Sequence, residues 1–161
     1  MTLTDAPPTP HLRGGFGRFA TGVAVVTFDG TEADGTTKRH GLTVNSFTSV
    51  SMDPPLVLIS IQRNVRAHAL LTGNPFTVNV LGAEQRDLAM HFAGRPNQEP
   101  RWIEGSHAPR LADTASWFTC TPWAEYDGGD HTLFVGRVED FGYRTGDCLG
   151  FLDGGFVTVR P

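Results

Sequence analysis

Residues 41–61 read GLTVNSFTSVSMDPPLVLISI. Gly41–Asn45 has the composition of a strand. Leu56–Ile61 is a short apolar run rich in β-branched residues, as a buried strand should be. The pair Pro54-Pro55 marks the start of the second strand, because proline cannot donate to a central ladder. Between them lies a polar loop. Leu42–Ser51 carries six hydroxyl or amide side chains in ten residues. Such groups suit a phosphate, or the carbonyl and ring-nitrogen edge of a heteroaromatic ring. Read alone, the same loop is also a set of turn formers satisfying its own backbone.

Working outward, Val23–Phe28 (VAVVTF) predicts a buried strand, followed by a polar hairpin loop over Asp29–His40. After Ile61 a short helix is expected, with Asn64 as N-cap, Gly73 just past its end and Pro75 beyond. Phe76–Leu81 alternates apolar and polar residues, the pattern of a half-buried strand. Glu84–Phe92 predicts a second helix. Residues 93–115, with three prolines and two glycines, predict a long loop of the kind that is more often functional or covered by a partner than idle. Strands are expected at Trp117–Thr121, Trp123–Tyr126, His131–Val138 and Cys148–Val159, with Asp127-Gly128-Gly129 as a turn. A helix begun at His11 is weakened by Gly14, Gly15 and Gly17. The sum is mainly antiparallel β with a few short helices. It lacks the strand–helix alternation of a doubly wound sheet, and a small barrel is the natural closure.

A chain of 161 residues is sized for one domain, expected over 11–161 after a disordered leader at 1–10. That leader has neither the basic cluster nor the apolar core of a secretory signal. A net charge of −4 argues against a nucleic-acid-coating surface, and no apolar run is long enough for a membrane helix. Two cysteines, Cys120 and Cys148, form neither a disulfide scaffold nor a zinc cluster, so no metal is expected. A cytoplasmic location is the simplest expectation. There is no Walker A run, no GxSxG elbow and no HExxH. The GGFG at Gly14–Gly17 precedes the first strand, the wrong context for a phosphate cradle. A nucleotide bound here needs an architecture other than a Rossmann fold.

The 41–61 stretch resembles the signature of the flavin reductase-like family, the small reductase components of two-component flavin monooxygenases. Other blocks match in order: Arg18–Thr27 (RFATGVAVVT), Phe76–Leu81 with Gln85, Leu88-Ala89 and Phe92-Ala93-Gly94, and Gly129-Asp130-His131 followed by Val135–Val138. The resemblance covers roughly 11–159. It implies a split β-barrel related to FMN-binding proteins and a homodimer. It implies an NAD(P)H:flavin oxidoreductase that uses FMN, or alternatively FAD; nothing in the sequence marks an adenosine 2′-phosphate site, so NADH is preferred over NADPH. It implies that reduced flavin diffuses to a monooxygenase partner. Carried over by position, Thr43, Val44, Asn45 and Ser46 line the isoalloxazine edge. Ser60, Arg63, Asn64, Ala67 and His68 lie by the ribityl chain and phosphate. Phe92 and Arg95 flank the ring or the phosphate, and His131 meets the nicotinamide.

The residues themselves lend partial support. A helix start beside Arg63 and Arg66 attracts phosphate, although two surface arginines are commonly just solvated. His131 follows a Gly-Gly turn and opens a strand, so its ring can project from a barrel rim and orient a dinucleotide. His68 has two readings, a contact with the phosphate or ribityl chain and packing against the ring. Trp102, Trp117 and Trp123 read as packing or interface residues, Cys120 and Cys148 as buried thiols, and His11, His40 and His107 as exposed. Two other classes stay open: a flavin carrier or prosthetic-flavin protein without fast NAD(P)H turnover, and an unliganded interaction barrel. The density of polar groups in 43–51 argues against the latter.

Overall fold

The computed structural model describes residues 8–161. The leader expected at 1–10 falls largely outside them, and helix α1 (Pro8–Gly17) already occupies 8–10. Strands β1 (Thr21–Gly22), β2 (Ala24–Thr31), β3 (Thr37–Val44), β4 (Thr48–Met52) and β5 (Pro55–Gln62) follow. Then come α2 (Arg66–Leu71), β6 (Phe76–Val80), a 3-10 turn (Ala83–Gln85) and α3 (Arg86–His91). The chain closes with β7 (Trp102–Ile103), β8 (Arg110–Leu111), β9 (Ser116–Gly128), β10 (His131–Tyr143), β11 (Cys148–Leu152) and β12 (Gly155–Val159).

Seven strands form one antiparallel sheet in the order β3-β2-β6-β9-β10-β5-β4. Its two edge strands, β3 and β4, are consecutive in sequence and joined by only Asn45-Ser46-Phe47. Four Cα steps reach at most about 15 Å. A flat sheet of seven strands is about 29 Å across. The sheet therefore curls until its edges nearly meet at Asn45–Phe47. Inside the curl, alternate residues of the strands pack into one core: Val26, Phe28, Val44, Val57, Ile59, Ile61, Phe76, Val78, Cys120 and Phe134, closed at one end by Leu71 of α2.

A second core lies outside β2, where Val23, Val25 and Leu81 meet Leu88 and Ala89 of α3, Leu111 and Leu149. Here the small sheet β1-β11-β12 docks. Two backbone bonds link its strand β11 to the main sheet, Val23 N to Leu149 O at 3.2 Å and Leu149 N to Leu81 O at 3.0 Å, and Leu81 N donates to Val23 O at 3.0 Å beside them.

Several expectations change. The Asp29–His40 loop shrinks to residues 32–36, because β2 and β3 pair from Thr31↔Thr37 onward. His40, expected to be exposed, is half-buried and stacks on Phe28 with ring centroids 5.3 Å apart. Of the polar stretch 42–51, residues 42–44 belong to β3 and 48–51 to β4, which leaves only 45–47 as a turn. Asn64 caps nothing: Val65 holds the N-cap position of α2, without a side-chain bond. Gly73 does sit past the helix end at φ +73°. The two strands expected at 117–121 and 123–126 are one, with a bulge at Trp123, between Pro122 and Ala124. The last expected strand is a hairpin, turned at Asp153-Gly154.

β6 is not half-buried but buried on both faces, and its polar residues are paired. Asn79 Nδ2 donates to Val25 O and to Thr27 Oγ1, both at 2.9 Å, and Asn79 Oδ1 accepts from Leu111 N at 2.8 Å. Thr27 Oγ1 donates to Pro109 O at 2.5 Å. This network straps 108–111, the later part of the long 93–115 segment, onto the sheet. No helix among the described residues is long and apolar enough to cross a membrane.

Candidate functional site

The corner Asn45–Phe47 is where the sheet's edges meet, and one side chain builds it. Ser46 Oγ donates to Ser60 O and accepts from Ser60 N, each at 3.0 Å, so a hydroxyl takes the place of a ladder partner between the corner and β5. Thr43 Oγ1 donates to Ala89 O at 2.7 Å and Thr43 N to Phe92 O at 3.2 Å, which ties β3 to α3. Asn45, between them, is exposed, and its amide bonds no other described residue.

Two hollows open on this corner and share Thr43, Val44 and Asn45. The smaller, about 240 Å³, is lined by Ser46, Ser60, Gln62, Val65 and His131 among others. The larger, about 540 Å³, is walled by Arg86 and Met90 of α3, Ala93, Arg95, Phe151 and the hairpin residues Gly154–Phe156. Together they make one cleft, with hydroxyls, an amide and an imidazole toward one end and two guanidinium groups at the other. Arg86 lies over the Phe156 ring, 5.3 Å from its centroid. A further hollow of about 470 Å³ beyond α3 has its polar groups already engaged: Gln85 bonds Gly82 and Ala112, and Arg101 pairs with Asp113.

His131 opens β10 opposite Gln62 of β5. Its Nδ1 lies 2.6 Å from Asp130 Oδ1. That contact and the imidazole's charge hold the Asp130 carboxyl below its ordinary range. A carboxylate only accepts, so the proton of a neutral ring sits on Nδ1 and leaves Nε2 as an acceptor. Burial, reinforced by the charge of Glu139, pushes the Cys120 thiol up to about 12 and makes it an inert core group.

The cleft therefore gathers Thr43, Val44, Asn45, Ser46, Ser60, His131 and Arg95. The other residues singled out from the sequence hold its walls. Arg63 Nε donates to His131 O at 3.2 Å, and its guanidinium pairs with Asp127 at 2.5 Å. Arg66 pairs with Glu32. The start of α2 thus carries no spare positive charge, and Asn64 there is exposed. Ala67 packs on the main core. His68 Nε2 sits 2.7 Å from Thr132 Oγ1 and meets Phe134 edge-on, so the ring pins α2 to β10. Phe92 packs edge-on to Trp102 and covers Gly41, where an added Cβ would lie 2.3 Å from its ring.

Arg86, Met90, Phe151 and the 154–156 turn escaped the sequence reading. Arg86 and Met90 stand four apart on a helix face other than that of Leu88 and Phe92, a signal that was present. The Asp153-Gly154-Gly155 turn was also visible, inside a segment read as one strand. A planar heteroaromatic ring with an anionic tail fits this donor set: the polar corner for ring heteroatoms, the arginines for the anion.

The comparisons agree with this geometry. Residues 16–160 match the flavin reductase like domain. The NADH-dependent flavin reductase of Rhodococcus sp is 40% identical over 163 residues, 97% of this chain and 90% of that protein. The reductase component of 4-nitrophenol 4-monooxygenase/4-nitrocatechol 2-monooxygenase from Rhodococcus opacus is 32% identical over 155 residues, 94% and 81% of the two chains. The solved NADH:FAD oxidoreductase of Streptomyces globisporus C-1027, in complex with NAD and FAD fragments, superposes with a TM-score of 0.87 at 37% identity, covering 100% of this chain and 98% of that one. With the curled sheet, the strapped interior strands and the polar corner in the same chain, and a family match that runs from residue 16 to residue 160, the protein belongs to the flavin reductase-like family.

Proposed function

We propose that the protein is an NADH-dependent flavin reductase, taking FMN or FAD into the cleft and releasing reduced flavin to a monooxygenase component. The observation that carries this reading is the continuity of the cleft, which joins a hydrogen-bonding corner and a projecting imidazole to a pair of arginines. In it, Asn45 and the backbone of Thr43–Ser46 hold the ring edge. Arg86 and Arg95 hold the phosphate, a role expected from the sequence for Arg95 and for the α2 side but not for Arg86. Ser60 lies beside the ring through its bonded partner Ser46. Arg63, Asn64, Ala67 and His68 act from behind, by fixing β10 and the turn that carries His131. Phe92 seats α3 against β3.

Bound flavin supplies a two-electron acceptor for the hydride that nicotinamide gives up. Hydride transfer needs no general base, so the chain's work is placement. His131 Nε2 offers an acceptor to the nicotinamide carboxamide N–H, while Asp130 and Arg63 hold the ring and its backbone. The arginines add positive charge to a protein of net charge −4 and favour the anionic ligand and its reduced, more negative form.

Large apolar side chains left exposed on the sheet support a homodimer. Val50 and Met52 on β4, Trp123 on β9, and Phe141 and Tyr143 on β10 are all at least half exposed. Large apolar groups left in water mark an interface.

The test is to titrate FMN and FAD into the protein by flavin fluorescence, then add NADH and follow nicotinamide absorbance. Saturable flavin binding with protein-dependent NADH consumption is expected. Binding without consumption would make the protein a flavin carrier instead.

A further inference from the structure

Beside the cleft lies a hollow of about 630 Å³ that shares Asn45 and Phe151 with the larger chamber, so the two are continuous. Its wall is the end of α1 and the segment after it, with Arg13, Phe16 and Phe19. This wall is fastened down: Asp153 N donates to Gly17 O at 2.9 Å, and Arg18 pairs with Asp153. Yet Phe16 and Phe19 remain 70% and 77% exposed. Thr21 also lines the hollow, and its hydroxyl is buried without a hydrogen-bond partner, a condition that folded chains avoid.

Two exposed phenyl rings on an anchored segment present stacking faces. An unsatisfied hydroxyl presents a hydrogen bond, and a guanidinium presents an anion contact. A purine base bearing phosphates uses all three. We infer that this hollow receives the adenylate arm of a dinucleotide whose redox ring occupies the cleft. The inference rests on the flavin and nicotinamide reading above. FAD and NADH both carry this arm, and FMN lacks it. Phe16, Phe19, Arg13 and Thr21 are therefore residues that choose between dinucleotide and mononucleotide.

The test compares wild type with Phe16→Ala/Phe19→Ala and with Phe16→Leu/Phe19→Leu, which keeps apolar bulk but removes the ring faces. FMN and FAD are titrated by flavin fluorescence, and NADH is compared with reduced nicotinamide mononucleotide in steady state. FMN affinity is expected to hold. If the arm is FAD's, FAD affinity falls by about tenfold. If it is NADH's, the advantage of NADH over the mononucleotide falls by a similar factor. Unchanged discrimination on both axes in a folded variant, leucine or alanine, overturns the inference. So does a change from dimer to monomer with all four ligands unaffected, which would assign the aromatic wall to a second copy of the chain. Failure of wild type to bind FMN at all would remove the flavin reading itself, and this inference with it.

Discussion

Asn45 and Ser46 are neighbours with different duties. The Ser46 hydroxyl is spent on both backbone groups of Ser60, whereas Asn45 bonds no described residue and faces the cleft. Asn45→Ala should weaken flavin binding by the worth of a neutral hydrogen bond, about 0.5–1.5 kcal/mol, and leave the melting temperature alone. Ser46→Ala should lower both, because it opens the corner where β3 and β4 meet. Flavin titrations and melting curves on the two single variants check the split; identical profiles would refute it. His131→Ala should raise the NADH KM, or lower kcat, by about tenfold, ~1.4 kcal/mol, and move the flavin Kd little. Equal damage to NADH use, flavin affinity and stability would make His131 a brace for the turn. These residues were legible because their chemistry is carried by identity and by position at strand ends. Arg63 and Arg66 were not, since what neutralises them comes from Asp127 and Glu32, far away in sequence.

At the scale of elements, the strands with clean apolar runs could be read directly, within a few residues. The errors share a cause, which is tertiary pairing that no local pattern records. Thr77 and Asn79 look like the wet side of a strand. They are dry because residues 108–111 fold over them and supply partners. β4 looks like a loop because three of its five side chains are hydroxyls, and it is a strand because β5 offers a ladder. β9 looks broken at Pro122, and a bulge at Trp123 absorbs the break. The strap makes a specific claim. Asn79→Ala leaves the buried Leu111 N–H unpaired and should cost about 1–3 kcal/mol, plus a share for the void. Denaturant unfolding measures the loss. Hydrogen exchange at Leu111 should quicken more than exchange within β5, and uniform quickening would show that Asn79 serves the whole sheet rather than the strap.

For the molecule as a whole, curling a seven-stranded sheet places a cleft where its edges fail to pair, and the small sheet and α3 wall that cleft. The large apolar groups left exposed on β4, β9 and β10 predict a dimer by sedimentation. FMN or FAD should raise the melting temperature in proportion to the logarithm of free ligand above its Kd. A monomer whose melting ignores both flavins would contradict the arrangement. The central claim is that the cleft brings nicotinamide and flavin together, and one anaerobic turnover tests it most directly. With protein and flavin in equal amounts and NADH added in the absence of oxygen, flavin absorbance should bleach in a single phase far faster than in a protein-free mixture. Bleaching no faster than in that mixture, by a folded protein that binds flavin, would contradict it.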